Sequence, residues 1–246
     1  MKIIVIAAGS GKRLGEDTKD LPKYLIKVND RTIMEHQIDM FKKIGYEKFI
    51  VITGPHKEKF TLGNVIYVED KNYPQHDILG SLMEAREYIT GDVLISYSDI
   101  IFDHSILSKI MESKADIGIA VDLDWEKAYE GRTEHPRTEA ENVSFDNNNI
   151  LKIRKNIPNQ GKIGEFLGLM KLSPKGSDIF VKKFLELEKS HVGPFQDASS
   201  LQKAYLTDMI QELIDSKIDV RPIIVSGKWC EIDTRQDLER ACEMFS

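Results

Sequence analysis

An α/β fold built on a Rossmann-like, doubly wound, mostly parallel sheet is what this chain predicts, and two observations carry it. Apolar, β-branched runs alternate with segments of helical spacing through the first half, in the order βαβαβ. Polar, small or acidic residues stand just beyond the carboxyl ends of those runs, where open α/β sheets bind ligands.

Lys2 to Ala8 reads as a buried strand, uninterrupted because both faces of a parallel strand are covered. Ile33 to Ile44 is helical, with Ile33, Ile38, Phe41 and Ile44 on one side and Gly45 as its stop. Phe49 to Thr53 and Val65 to Val68 are strands, Ser81 to Tyr88 a helix, and Asp92 to Ser96 a buried strand running into Ser98 and Asp99. Ile117 to Asp122 is the next strand, followed by a charged, turn-rich loop from Asp124 to Glu141. Val143 to Phe145, the turn 146–149 and Ile150 to Ile153 form a hairpin. Gly168 to Leu172 is a strand, Ile179 to Leu187 and Thr207 to Ser216 are helices, Val220 to Val225 is a strand and Asp237 to Phe245 the closing helix. The short strands of the second half predict a small antiparallel portion that shapes a second pocket. The reading is one domain over 1–246, with 1–122 mainly for one ligand and 123–246 mainly for another.

With 246 residues, 41% hydrophobic and 30% charged, the composition is that of an ordinary soluble globular protein. The net charge of -6 argues against a nucleic-acid partner, which needs a broad basic surface to displace counterions. No stretch approaches the roughly 20 apolar residues of a membrane helix, so no membrane span is expected. Cys230 and Cys242 are the only cysteines, too few for a disulfide framework and not at zinc-site spacing, which places the protein in a reduced, cytoplasmic setting. Nothing in the sequence opposes a homodimer.

The first strand runs into Gly9, Ser10, Gly11, Lys12 and Arg13. Successive residues without bulky side chains let backbone N–H groups wrap an anion, so the loop reads as a phosphate cradle. A dinucleotide fingerprint wants Gly or Ala where Leu14 stands. A Walker A loop needs four residues between its glycines and Ser or Thr after Lys, where this chain has Arg13. What remains is a loop with a fixed cation at Arg13 and another after a proline, in Leu21-Pro22-Lys23, an arrangement suited to a triphosphate.

The run A-A-G-x-G-x-R-L followed by L-P-K resembles the signature of nucleotidyltransferases that join a nucleoside triphosphate to a phosphorylated small molecule and release pyrophosphate. The resemblance implies a nucleotide-diphospho-sugar transferase type of fold. It implies that the Gly9, Ser10, Gly11 and Lys12 backbone and Arg13 hold the β and γ phosphates, that Lys23 neutralises charge at the α phosphate, and that Ala7 and Ala8 border the base. It also implies two metal-binding aspartates, matched by Asp99 in ISYSDI and Asp233 in WCEIDT, and hence Mg²⁺, which is held by one or two carboxylates and substrate phosphates. Ser81 sits where the family has its base- and sugar-recognising turn; a helix cap explains it as well. The six histidines are scattered and read mostly as surface or loop residues.

On the acceptor side, Lys155 in IRKNI matches a lysine that contacts the acceptor's phosphate in relatives. The stretch GRTEHPRTEAENV resembles the T-E-A-E segment of cytidylyltransferases acting on 2-aminoethylphosphonate, and WCEIDT resembles both those enzymes and choline-phosphate cytidylyltransferases. Glu139 and Glu141 would meet an acceptor amine or a metal, Arg132, His135 and Arg137 an acidic group, and Asp208 in YLTDMI another cation. YSDI lacks the glycine of the G-D-N motif usual in sugar-1-phosphate transferases, which disfavours that reading. The expected activity is transfer of CMP from CTP to a small phosphonate, with a phosphorylated alcohol such as phosphocholine, or a sugar 1-phosphate, as alternative acceptors. Rival readings are a metal-dependent glycosyltransferase and a non-catalytic nucleotide sensor.

Overall fold

The computed structural model describes residues 1–246 apart from Ser10, Asn148, residues 158–161 and the side chains of Lys12 and Glu16. β1 (Lys2–Ala7) is followed by a small hairpin of β2 (Lys27–Val28) and β3 (Arg31–Thr32). Thr32 caps α1 (Ile33–Lys43): its hydroxyl accepts from Glu35 N–H while the Glu35 carboxylate accepts from Thr32 N–H. Then come β4 (Phe49–Thr53), β5 (Val65–Glu69), α2 (Ile78–Glu84) and β6 (Val93–Tyr97). α2 starts three residues before the predicted helix and gives way to a separate 3₁₀ turn, Arg86–Tyr88.

β7 (Ile100–Phe102), α3 (His104–Glu112) and β8 (Ile117–Asp122) follow. The predicted hairpin is β9 (Glu141–Asp146) and β10 (Asn149–Lys155); of its predicted turn, Asn148 lies outside the described residues. β11 (Lys162–Leu172), α4 (Pro174–Ser190), α5 (Leu206–Asp215), β12 (Arg221–Val225), β13 (Trp229–Glu231) and α6 (Arg235–Met244) complete the order. β11 and α4 are longer than their apolar spacing predicts, and α3, β7 and β13 were not predicted. Ser173 caps α4 and Pro174 opens it, a start signal upstream of the first apolar residue used to place that helix.

The main sheet runs β10-β9-β11-β6-β1-β4-β5, with β8 pairing β11 and β12. β1 is parallel to both β4 and β6, and β4 is parallel to β5. Around β11 the pairing is antiparallel, with β6, β8 and β9. The fold is thus the expected α/β sheet, with its antiparallel part built on one long strand.

Alternate side chains of each central strand serve opposite faces. Ile4, Ile6, Ile50 and Ile52 pack with Leu79, Leu82, Phe180 and Met209, from α2, α4 and α5. Ile3, Val5 and Val51 pack with Ile33, Phe41, Ile106 and Ala241, from α1, α3 and α6. This double covering leaves the strand ends as the place for polar chemistry.

β11 changes partner along its length: residues 162–165 pair with β9 and residues 169–172 with β6. The change happens at Gly168, whose φ is +67° and whose added Cβ would stand 2.4 Å from the Tyr97 ring. Only glycine fits both the backbone angle and the ring. No described helix is long and apolar enough to cross a membrane.

Candidate active site

The glycine loop leaves β1 at its carboxyl end, as the sequence predicts, and Asp99 follows β6, the strand beside it. Asp233 arrives by a route the sequence did not reveal. β13 pairs antiparallel with β7, setting Glu231 opposite Ile100, and Ile232 N–H donates to the Asp99 carbonyl at 2.7 Å. This two-stranded ribbon brings distant parts of the chain together. Asp237, at the third position of α6, then accepts from the N–H groups of Asp233 and Thr234 and fixes the turn.

Lys23 Nζ lies between the two aspartates, donating to Asp99 Oδ2 at 2.9 Å and to Asp233 Oδ1. Arg13 is paired with Asp233 Oδ2 at 2.6 Å. Burial alone would lower the Lys23 pKa, but the Asp99 and Asp233 charges outweigh it and hold the ammonium charged. Burial likewise works to raise Asp233, and Lys23 and Arg13 overcome it, so that carboxylate stays ionised. Asp99 Oδ1 is buried and has no hydrogen-bond partner among the described residues. An orphaned carboxylate oxygen beside a second ionised carboxylate fits a hard divalent cation.

His135, Glu231 and Asp233 form a second cluster whose ligand-type atoms lie within 4.8 Å of one another. His135 is 2% exposed, with Nδ1 3.4 Å from Asp233 Oδ2 and Nε2 3.6 Å from Glu231 Oε2. His135 thus lies in a loop, as the sequence predicts for most of the histidines, but it is buried rather than at the surface. The charged stretch around it forms two 3₁₀ turns, Trp125–Tyr129 and Arg137–Glu139, that tuck His135 against the Tyr129 ring. Arg132 is also turned inward, donating to Asp237 at 2.8 Å, whereas Arg137 pairs with Glu126 on the exposed side.

Two cavities meet at the aspartates. The larger, about 1060 Å³, is lined by Ala7, Ala8, Gly9, Gly11, Lys23 and Ser81, among others. The smaller, about 480 Å³, is lined by Glu139, Glu141, Lys155, Glu165, Gly168 and Glu231, among others. Arg13, Ile78, Tyr97, Asp99, Tyr205 and Asp233 line both. Gly11, with φ +60°, turns the loop so tightly that an added Cβ would stand 2.9 Å from Thr18 Cγ2; the Thr18 hydroxyl donates to the Gly11 carbonyl at 2.7 Å. An added Cβ on Gly9 would meet nothing, so that position faces the open cavity.

Of the other predicted site residues, Ser10 and the Lys12 side chain lie outside the described residues. Ser81 is inside α2 rather than at its cap, and its hydroxyl donates to buried Asp70, which also meets His76 Nδ1 at 3.0 Å. Lys155 donates to Glu139 at 2.7 Å and lies 5.7 Å from the Tyr205 ring. The structure does not bring Asp208 to either cavity's lining. Its carboxylate accepts from Tyr205 N–H at 2.7 Å and from Asp197 N–H, so it caps α5 and reaches the site only by fixing Tyr205. Two lining residues, Glu165 and Glu231, were not predicted. A carboxylate inside an otherwise apolar strand, as in GEFLG and WCEI, was the signal available for both.

The family model of the MobA-like NTP transferase domain matches residues 3–136. The chain is 25% identical to CTP:phosphoglutamine cytidylyltransferase of Campylobacter jejuni, over 97% of this chain and 98% of that protein. It is 30% identical to the choline-phosphate cytidylyltransferase of Streptococcus pneumoniae, over 46% of this chain and 51% of that one. Among solved structures it resembles the inositol-1-phosphate CTP transferase from T. maritima with a TM-score of 0.76 at 24% identity, covering 99% of this chain and 94% of that one, a likeness of fold.

Proposed function

Since the chain belongs to the MobA-like NTP transferase family, we propose that this nucleotidyltransferase moves CMP from CTP to a small phosphonate, 2-aminoethylphosphonate first among them, and releases pyrophosphate. The observation that carries this reading is the meeting of two cavities at Asp99 and Asp233, with Lys23 and Arg13 at the junction. Two substrates bound one on each side would meet there. The full-length similarity to an enzyme named for CTP and a phosphorylated small molecule supports the nucleotide and the size of the acceptor.

In this reading the glycine loop and Arg13 hold the β and γ phosphates in the larger cavity. Lys155, at the rim of the smaller one, meets the phosphonate. An acceptor oxygen attacks the α phosphorus in line with the departing pyrophosphate: one P–O bond forms and the bond to the leaving group breaks. Little covalent help is needed from the protein, so catalysis consists of alignment and charge neutralisation. Asp99 and Asp233 would hold Mg²⁺, which supplies positive charge against the phosphates. Lys23, released from one aspartate, would reach the α phosphate. Choline phosphate is the second reading, favoured by the similarity to a choline-phosphate cytidylyltransferase over just under half of the chain.

The test is pyrophosphate release from CTP, UTP, ATP and GTP with Mg²⁺, against 2-aminoethylphosphonate, 2-hydroxyethylphosphonate, phosphocholine and glucose 1-phosphate. Release with CTP and a phosphonate is expected, together with loss of about 10²-fold or more in Asp99→Asn and Asp233→Asn. Release confined to UTP and glucose 1-phosphate would overturn the reading in favour of nucleotide-sugar synthesis.

A further inference from the structure

The smaller cavity is lined by six carboxylates, Asp99, Glu139, Glu141, Glu165, Glu231 and Asp233. Three have a close cation: Lys23 spans Asp99 and Asp233, Arg13 joins Asp233, and Lys155 takes Glu139. Glu231 is met more loosely, by Arg132 at 3.8 Å and His135 at 3.6 Å. Glu141 and Glu165 have no cation within ion-pair distance among the described residues. Each instead accepts from one tyrosine: Tyr97 donates to Glu141 at 3.3 Å and Tyr129 to Glu165 Oε1 at 2.5 Å.

Glu165 is only 4% exposed, and its Oε2 is buried with no hydrogen-bond partner among the described residues. An unpaired buried acceptor costs about 1–3 kcal/mol, more when charged, and persists where a ligand completes it. The same cavity is lined by Phe166, Tyr97 and Trp229, whose indole N–H is already committed to Asp122 at 2.7 Å. The cavity therefore offers aromatic surface and an acceptor, and no spare donor from that indole. In the proposed reading Lys155 takes the acceptor's acidic group, and Glu165, in the same cavity and without a paired cation among the described residues, is left to take another part of the acceptor.

Resting on the proposed phosphonate reading, we infer that the acceptor's far end is an ammonium group bearing N–H, bound by Glu165 Oε2 with Glu141 beside it and the aromatic wall around it. The need for a hydrogen on nitrogen separates this acceptor from a quaternary ammonium. A trimethylated nitrogen satisfies the aromatic wall by cation–π attraction but leaves Oε2 unpartnered. A hydroxyl satisfies the oxygen but not the charge. Burial, which dominates over the Tyr129 hydrogen bond, pushes the empty Glu165 carboxyl up to about 8, and a bound ammonium would draw it down again.

The experiment measures kcat/KM by pyrophosphate release with CTP and Mg²⁺ for 2-aminoethylphosphonate, its N-trimethyl derivative, 2-hydroxyethylphosphonate and propylphosphonate. The ammonium compound is expected to exceed each of the others by about 10- to 100-fold, mainly through KM. Glu165→Gln keeps an acceptor for Tyr129 and should reduce that preference to within about threefold. Equal values for the ammonium and propyl compounds in the wild type would overturn the inference and leave cytidylyl transfer intact. No release with any phosphonate would overturn the phosphonate reading itself. If Glu165→Gln lowers all four acceptors equally, with an unchanged preference, Glu165 is structural and the inference fails.

Discussion

Lys23→Ala removes the one ammonium that spans Asp99 and Asp233. The Lys23 side chain is 11% exposed and the Asp233 side chain 3%, so the ion pair is largely withdrawn from water. At 2.9 Å from Asp99, with an effective dielectric of about 20, the attraction is roughly 6 kcal/mol before desolvation. Desolvation offsets much of it, but removing one partner leaves the other charges buried and uncompensated, at a cost of about 3–5 kcal/mol. Arg13 still reaches Asp233, which keeps the loss toward the lower figure. For a chain of this size that is a fall of roughly 10 °C in the ligand-free melting temperature. Loss of charge neutralisation at the α phosphate should separately lower kcat by about 10²-fold or more. Differential scanning fluorimetry without nucleotide or metal measures the first effect, and pyrophosphate release at saturating CTP the second. A variant that melts within about 2 °C of wild type and turns over normally would refute both the structural bridge and the catalytic role.

Two further substitutions test other parts of the site. Gly11→Ala forces a side chain onto a residue at φ +60° and within 2.9 Å of Thr18, so the loop must open; the expected result is a rise of about tenfold or more in KM for the nucleotide, with a melting temperature lowered by only a few degrees, read by kinetics and fluorimetry. Glu165→Gln tests the buried acid through pH: between its ordinary value of 4.5 and about 8, the folded Glu165 keeps a proton that the unfolded chain has lost. The unfolded state then binds fewer protons, so wild-type stability falls as pH rises through that window. Ligand-free Glu165→Gln should therefore gain on wild type between pH 5 and pH 8 by up to a few kcal/mol, and parallel melting curves across that range would remove the assignment.

The glycine loop and Asp99 could be placed at the sheet's edge because each follows a strong local signal. β1, β4 and β6 are continuous apolar runs, and a strand that is buried on both faces announces its own carboxyl end. α3 was missed because its nine residues bury only Ile106, Leu107 and Ile110, too short a stripe to stand out beside the polar His104, Ser105 and Ser108. β7 and β13 have three residues each, less than two periods of a strand, and exist through each other. Their pairing is a fact of the tertiary fold, and with it goes the reason that Asp233 stands beside Asp99. The burial of His135, which the sequence named as a candidate site residue, was hidden for the opposite cause. A charge-rich sequence reads as solvated, yet here Arg132 and His135 are turned inward by the demand of Asp237, Glu231 and Asp233 for cationic or donor partners.

The two cavities differ in how far family membership explains them. The matched region, residues 3–136, contains the glycine loop, Arg13, Lys23, Ser81 and Asp99, which line the larger cavity. Glu139, Glu141, Lys155, Glu165, Glu231 and Asp233 all lie beyond it and line the smaller one. The shared chemistry of a nucleoside triphosphate can thus be built from strand ends that any sheet of this topology provides. In the proposed function acceptor recognition falls to the antiparallel addition: β11 carries Glu165 and passes close to the Tyr97 ring at Gly168, while the hairpin of β9 and β10 carries Glu141 and Lys155 at its open end. Because side chains alternate along a strand, a one-residue slip of β11 against β9 would turn Glu165 away from the cavity. Gly168, which fits only glycine against Tyr97, pins the strand where it leaves β9 for β6, so the register that aims Glu165 is held by a residue without a side chain.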